Sequence, residues 1–168
     1  MKAFRKVMAL ILALTICLGM ALSLASCGNN DDETIEITDM SGTTVKIPKS
    51  PKKVAAVSPS TGDLMIAFGL GDLLDGTYYS TLTNPWAKEI YPESESFYGY
   101  DYDNSVETFV MQGVDLIFIP EPSAAQTLRD HGLNALCVRQ FAETGYDDYV
   151  FYFSEMVRQI WGEDETVS

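Results

Sequence analysis

The stretch from Asn104 to Pro120, NSVETFVMQGVDLIFIP, constrains the fold most, because it predicts a short helix followed at once by a buried strand. Val106, Phe109 and Val110 have the spacing of one helical face. Gly113 suits the left-handed turn that ends a helix. The six residues after that glycine are almost wholly apolar, as in a parallel strand that is covered on both faces.

The rest of the chain predicts alternating strands and helices. Residues 34–38 and 43–47 alternate polar and apolar side chains around a turn at 39–42, which predicts a hairpin. Short apolar runs at 54–57 and 133–138 predict further strands, and helical patterns lie between the strands. We therefore expect an α/β fold of three αβα layers, with a mostly parallel sheet preceded by the short β-hairpin.

Local signals predict where helices begin and where turns fall. A Ser or Asn that is followed three residues later by an acidic or amide side chain predicts a capping box. Such pairs are Ser60 with Asp63, Asn104 with Glu107, and Ser123 with Gln126. Gly69, Gly71 and Gly76 have the wrong spacing for a dinucleotide-binding loop, so we interpret them as turn residues. Apolar residues from Tyr149 to Ile160 recur at helical spacing and predict a helix that faces the core.

The first 26 residues predict a secretory signal, because a basic start precedes a long apolar run and small residues. Leu24–Cys27 reads LASC and resembles the bacterial lipobox. This resemblance implies that Cys27 carries lipid and anchors the protein to the membrane outside the cytoplasm. A plain transmembrane anchor is the alternative, since the apolar run approaches spanning length. The predicted parts are a signal at 1–26, a flexible tether at 27–33, and a folded lobe at 34–162.

Charge excludes one class of partner. Three of the eleven Lys and Arg residues lie before Cys27, so eight remain against 24 Asp and Glu. Such an acidic chain lacks the basic patches that nucleic acid requires. The same balance opposes electrostatic binding to anionic lipid, so attachment depends on the acyl chains.

Three segments carry a family resemblance in the order in which the family has them. They read ITDMSGTTVKIPKSPKKVAAVSPS at 37–60, SPSTGDLMIAFGLGDLLDG at 58–76 and SVETFVMQGVDLIF at 105–118. They resemble the periplasmic binding proteins for iron complexes and vitamin B12, the solute receptors of ABC importers. The resemblance implies the N-terminal lobe of a two-lobe fold, with residues 163–168 starting the interlobe helix and a second lobe missing. It also implies that Glu107 is exposed and docks on the importer's permease.

Tyrosines are concentrated between Thr77 and Asp103, where two strand ends are predicted. Loops that follow the carboxyl ends of strands carry the ligands of open α/β sheets. Aromatic rings in such loops stack on flat or apolar ligands. The alternative is that some of these rings pack beneath the loops. The candidate ligand-binding residues are Tyr78, Tyr79, Tyr98, Tyr100 and Tyr102.

Signals for an enzyme or a metal centre are weak. His131 is the only histidine, and its place before Gly132 suits the C-terminal end of a helix. Asp101 begins an alternating acidic run like part of a calcium loop, but the required sixth-position glycine is missing. Cys137 lies in an apolar strand, and we interpret it as a small buried residue. We predict a binding protein that does not catalyse a reaction, and no protein-bound metal.

We interpret the chain as a solute-binding lipoprotein that delivers an iron–siderophore-type complex, haem or a corrinoid to an ABC permease. Lys88 is the only base between Val54 and Leu128, which favours neutral or cationic ligands such as hydroxamate siderophores and corrinoids. A lipid-anchored interaction module without solute binding and a surface enzyme are the alternatives. One lobe alone encloses only part of a ligand, so we expect weak, millimolar binding by this chain.

Overall fold

A computed structural model of the chain describes residues 33–139 and 145–162. The predictions for Cys27, the signal, most of the tether and residues 163–168 lie outside these ranges. Within the described ranges, no helix has the length and apolar character needed to cross a membrane.

Seven strands and six α-helices are described. The strands are β1 (Thr34–Thr38), β2 (Thr44–Pro48), β3 (Val54–Ala56), β4 (Leu74–Tyr78), β5 (Tyr98–Tyr100), β6 (Leu116–Ile119) and β7 (Ala135–Cys137). The α-helices are α1 (Pro59–Ala67), α2 (Tyr79–Leu82), α3 (Pro85–Ile90), α4 (Val106–Gln112), α5 (Pro122–Asp130) and α6 (Tyr146–Trp161). Short 3₁₀ helices cover Gly71–Leu73 and Pro92–Ser96.

The main sheet is parallel and has the strand order β5-β4-β3-β6-β7, while β1 and β2 form a separate antiparallel hairpin. The chain builds β3, β4 and β5 towards one edge and then returns across β3 to place β6 and β7 on the other side. The loops after β3 and β6 therefore leave in opposite directions, which makes a topological switch point between these two strands. The predicted parallel sheet and the predicted hairpin are both confirmed.

The sheet is covered on both faces, as its nearly continuous apolar strands predict. One face packs against α1, α6 and the hairpin, and Phe118, Phe153 and Ile47 are fully buried there. The opposite face packs against α4 and α5, where Phe109 is 1% exposed. The predicted apolar stripe of α6 lies in the first of these cores, so the three-layer arrangement is confirmed.

All three predicted capping boxes are wrong in register. The residues at the helix starts are Ser58, Ser105 and Glu121. Pro59 and Pro122 occupy the first helical positions of α1 and α5, and this preference of proline moves both starts upstream. Asn104 instead closes the turn before α4, where its Oδ1 accepts from the Asp101 amide at 2.7 Å.

Two further local predictions are wrong. Val110 was expected on the buried face of α4, but it is 58% exposed because Phe109 alone inserts into the core. Gly76 is a strand residue and not a turn residue. A Cβ at this position would lie 2.1 Å from the carbonyl oxygen of Tyr98, so glycine permits the close approach of β4 and β5.

Candidate functional site

A cavity of about 290 Å³ lies at the carboxyl ends of the central strands. Its walls are the residues that follow β3, β5, β6 and β7, so it occupies the switch point of the sheet. It is lined by Ser58, Pro59, Ser60, Tyr102, Pro120, Glu121, Val138 and Arg139. The topology thus brings four loops, distant in sequence, to one concave surface.

Hydroxyl groups make up one wall of this cavity and are held by one another. Ser58 caps α1 by accepting from the Thr61 amide at 3.2 Å, and its Oγ lies 2.7 Å from the Thr61 hydroxyl. The Tyr149 hydroxyl of α6 lies 3.0 Å from Thr61 Oγ1 and accepts from Ser60 at 3.4 Å. This network fixes the loop after β3 against α6, so the wall is formed before any ligand binds.

Three tyrosine rings are grouped at the ends of β4 and β5, and one of them, Tyr102, lines the cavity. The Tyr78 ring centroid lies 4.5 Å from that of Tyr102 and 4.7 Å from that of Tyr79. Tyr79 and Tyr102 are 50% and 46% exposed. Their faces are therefore available to an aromatic or apolar ligand, at distances typical of ring stacking.

Burial and nearby charge keep Tyr78 and Tyr102 neutral. Partial burial, a hydrogen bond with Tyr79 and the nearby charge of Asp101 raise the pKa of Tyr78 to about 12. Burial and then the Asp101 carboxylate also raise the pKa of Tyr102. At neutral pH Tyr78 and Tyr102 therefore present hydroxyl donors and aromatic faces, and no phenolate charge.

The other two candidate tyrosines do not join this cluster. Tyr100 is 0% exposed, stacks on Phe109 with centroids 5.2 Å apart, and donates to Asp75 Oδ2 at 2.6 Å. Its role is in the core, because no face of the ring is open. Tyr98 begins β5, two residues before the strand's carboxyl end, and its ring contacts Tyr100 at 4.8 Å. The structure thus brings together Tyr78, Tyr79 and Tyr102 only.

The cavity also contains residues that the sequence did not single out. Arg139 follows β7 and Glu121 follows β6, so each could have been found by listing the first polar residues after every predicted strand. Arg139 corrects one premise about the ligand. The preference for a neutral or cationic ligand depended on the scarcity of Lys and Arg between Val54 and Leu128. The fold brings the guanidinium of Arg139, which lies later in the sequence, to the same cavity. The cavity therefore has one cationic and one acidic wall residue, and it does not select against an anionic group.

A second cavity of about 460 Å³ lies between the hairpin turn and α6, and Arg139 lines both cavities. Its wall includes Asp39, which is 4% exposed. The carboxylate accepts hydrogen bonds from the Ser41 and Thr43 amides, the Ser41 hydroxyl, the Cys137 amide and Arg129 Nη1. Since this polar group is already satisfied, we place the candidate site at the smaller cavity, which lies at the sheet's switch point and is lined by the open ring of Tyr102.

Glu107 lies in the first turn of α4 and is exposed, away from the cavity. Hydrogen bonds from its own amide and from the Ser105 hydroxyl lower its pKa, so the carboxylate is charged at neutral pH. Its side chain is therefore placed where a partner's cation could reach it. That this partner is a permease stays a prediction.

The residues set aside as structural lie in structural positions. Nδ1 of His131 is 2.8 Å from the Thr127 carbonyl at the C-terminal end of α5. Cys137 is 0% exposed, and burial followed by the Asp39 charge raises the pKa of its thiol to about 11. Among the described residues, no three His, Cys, Asp or Glu side chains are grouped closely enough to hold a metal ion.

No protein-family profile matches the chain. Over 166 residues it is 28% identical to the uncharacterized ABC transporter substrate-binding lipoprotein YvrC of Bacillus subtilis strain 168. The match covers 86% of this chain and 49% of YvrC. The chain thus spans about half the length of this curated relative.

Two solved structures share the fold. A periplasmic solute-binding protein from Veillonella parvula DSM 2008 superposes with a TM-score of 0.68 at 19% identity, covering 80% of this chain and 43% of that protein. The petrobactin-binding protein YclQ from Bacillus subtilis superposes with a TM-score of 0.63 at 18% identity, covering 80% of this chain and 48% of YclQ. At these identities the likeness establishes the fold alone.

Proposed function

We propose that the chain is a periplasmic solute-binding protein of an ABC transporter and forms one side of a receptor cleft, because it is similar to such proteins over about half of their length. The receptor binds an iron–siderophore-type or corrinoid complex and delivers it to a membrane permease. It acts by binding and release, without catalysing a reaction.

The cavity at the switch point is the observation that carries this proposal. It combines hydroxyl donors from Ser58 and Ser60 with the half-exposed ring of Tyr102. Most of the cavity's lining is polar, and concave sites with fixed polar groups are one feature of small-molecule sites. The hydroxyl network described above holds this wall without a ligand, so little ordering is needed on binding.

The wall chemistry supports a ligand class. Neutral tyrosines offer stacking surface and hydroxyl donors, which suit the flat ring of haem or a corrinoid and the aromatic or apolar outer surface of a siderophore complex. Arg139 and Glu121 add one charge of each sign. The name of YclQ describes a petrobactin-binding protein, which supports a siderophore-type complex as the first ligand to test.

Attachment and docking complete the proposal. Cys27 holds the lobe at the membrane through its lipid, and the exposed Glu107 carboxylate meets a cation on the permease. Mass spectrometry of the protein from its native membrane tests the anchor. We expect a diacylated Cys27 at the mature N-terminus, and an unmodified thiol there would exclude it.

Tyrosine fluorescence of the purified chain tests the solute site. Addition of a ferric hydroxamate, a ferric catecholate, haem or cyanocobalamin should quench the emission with an apparent dissociation constant near the millimolar range. Tyr102→Ala should reduce this response, whereas Tyr146→Ala, an equally exposed ring outside the cavity, should not. The absence of a saturable response to all four complexes would contradict the proposal.

A further inference from the structure

The exposed face of α4 carries an apolar pair beside Glu107. Val110 and Met111 follow Glu107 by three and four positions, so the three side chains share one face of the helix. Val110 is 58% and Met111 is 83% exposed, and Met111 is the most exposed large hydrophobic residue among those the structure describes. Neither residue belongs to the two cores of the lobe.

The fold does not require apolar side chains at these two positions. Phe109, on the opposite side of α4, inserts between the helix and the sheet and is 1% exposed. The helix is thereby anchored from its other face, and polar residues at 110 and 111 would satisfy the same packing. Leaving a valine and a methionine side chain in water forgoes burial that a partner would recover.

We infer that Val110 and Met111 form the apolar part of the permease-docking surface. An apolar side chain of a permease loop packs against them, next to the cationic residue of that loop. This inference rests on the proposed function, in which Glu107 meets that cation. The charge pattern supports a protein partner of this kind. An ionised carboxylate at the edge of an apolar pair complements a guanidinium or ammonium group flanked by apolar side chains. Burial of the pair would also exclude water from the ion pair and strengthen it.

The lowered pKa of Glu107 is consistent with this surface, because the carboxylate stays charged over the neutral range. His131, at the end of α5, also lies near enough to favour the charged carboxylate. The methionine side chain is flexible and polarizable, which suits a surface that must bind and then release its partner.

Binding to reconstituted permeases tests the inference. Each ABC-importer permease of the source cell, purified with its ATPase and placed in nanodiscs, is titrated with the full-length mature protein. The variants are the double substitution Val110→Ser with Met111→Gln, the single substitution Glu107→Gln, and Ile90→Gln as a matched control. Ile90 is 66% exposed on α3, so its substitution removes similar apolar surface from another face.

We expect the double variant to weaken binding about tenfold or more at every salt concentration, since its loss is apolar. Glu107→Gln should weaken binding mainly at low salt, because ion pairs are screened. Ile90→Gln should bind as the wild type does, and the melting midpoints of all variants should agree.

The outcomes separate the inference from the proposal on which it rests. Loss with Glu107→Gln but none with the double variant would overturn the inference and keep the docking role of Glu107. Loss of permease binding with the double variant alone would support the apolar surface and exclude the docking role of Glu107. If wild-type protein binds no permease, or if sedimentation shows a dimer that the double variant abolishes, the assigned partner is wrong.

Discussion

Two polar clusters of this lobe differ in whether their groups are closed off. Around Asp39, at the turn of the hairpin, five donors surround one carboxylate that is 4% exposed. Around Tyr78, at the ends of β4 and β5, stacked rings keep about half of two side chains open to water. The first cluster holds the fold together, whereas the second leaves aromatic faces open to solvent, as we propose for the ligand site.

The difference shows why the larger cavity is the weaker candidate for the site. Asp39 joins three parts of the chain, since Arg129 of α5 and the Cys137 amide of β7 bind the same oxygen at 3.1 and 3.0 Å. The Met40 amide also donates to the Cys137 carbonyl at 3.0 Å, which extends the contact between the hairpin and the sheet edge. A polar group used in this way has no bond left for a solute.

Asp39→Ala should disrupt the closed cluster around Asp39 and cause the largest loss in the free energy of unfolding. It leaves the partly buried Arg129 guanidinium without its carboxylate partner, and several amides without an acceptor. Removing one partner of a buried pair costs about 3–5 kcal/mol in the free energy of unfolding. Urea unfolding followed by circular dichroism measures this loss. Asp103→Ala, at an exposed carboxylate, is the control and should change stability by less than about 0.5 kcal/mol.

Gly76→Ala should disturb the pairing of β4 with β5, the two strands at whose ends the open tyrosine cluster lies. The added methyl group would lie 2.1 Å from the Tyr98 carbonyl oxygen, so β5 must move away from β4. We expect a loss of about 3 kcal/mol in unfolding free energy. Gly99→Ala in β5 is the matched control, because its methyl group would meet only ordinary contacts at 3.5 Å. Equal stability of the two variants would show that the strand pairing is not this close.

Acidic pH should lower the stability of the protein in part through the closed cluster around Asp39. Burial alone would raise the pKa of Asp39, but its hydrogen bonds outweigh burial, and the folded-state pKa lies below the ordinary value of 3.8. A lowered pKa contributes stability that is complete above about pH 5 and is lost as the pH falls through the folded-state value. Asp39→Asn should therefore flatten the acid limb of the stability curve between about pH 5 and pH 3. An unchanged acid limb would show that this carboxylate is not the group responsible.

Tyr102→Ala should have the smallest effect on stability, about 1 kcal/mol or less, because the ring is 46% exposed and packs mainly on Tyr78. Its effect on solute binding should be larger than its effect on unfolding. Tyr100→Phe should give the reverse result, since it removes the 2.6 Å hydrogen bond to Asp75 inside the lobe. Calorimetric titration and urea unfolding of both variants would test this opposition.

Periodicity predicted the layers and the helix stripes of this fold, because those depend on burial that recurs along the sequence. The predicted caps of α1 and α5 were wrong because proline at the first helical position outweighed the Ser signals. Asn104 does not cap α4 because its side chain closes the preceding turn. The contact of Asp39 with Arg129 joins residues 90 positions apart, and nothing local marks it.

The candidate site was only partly predictable for a related reason. The rule that ligands follow strand ends identified the tyrosine-rich region, but a shift of two residues decides which rings are open. Since β5 ends at Tyr100, that ring is buried in the sheet and Tyr102 is the one that emerges. Arg139 was missed because a single arginine after a strand has no distinguishing pattern until the topology places it beside Glu121.

Amide chemical-shift mapping of the isotope-labelled chain tests the central claim most directly. Titration with a gallium hydroxamate siderophore, zinc protoporphyrin and cyanocobalamin avoids paramagnetic iron. The account predicts that at least one of them shifts the amides of Ser58, Ser60, Tyr102, Glu121 and Arg139, the residues of the switch-point cavity. Shifts confined to residues 38–42 and to the Tyr152–Gln159 part of α6, around the larger cavity, would contradict it.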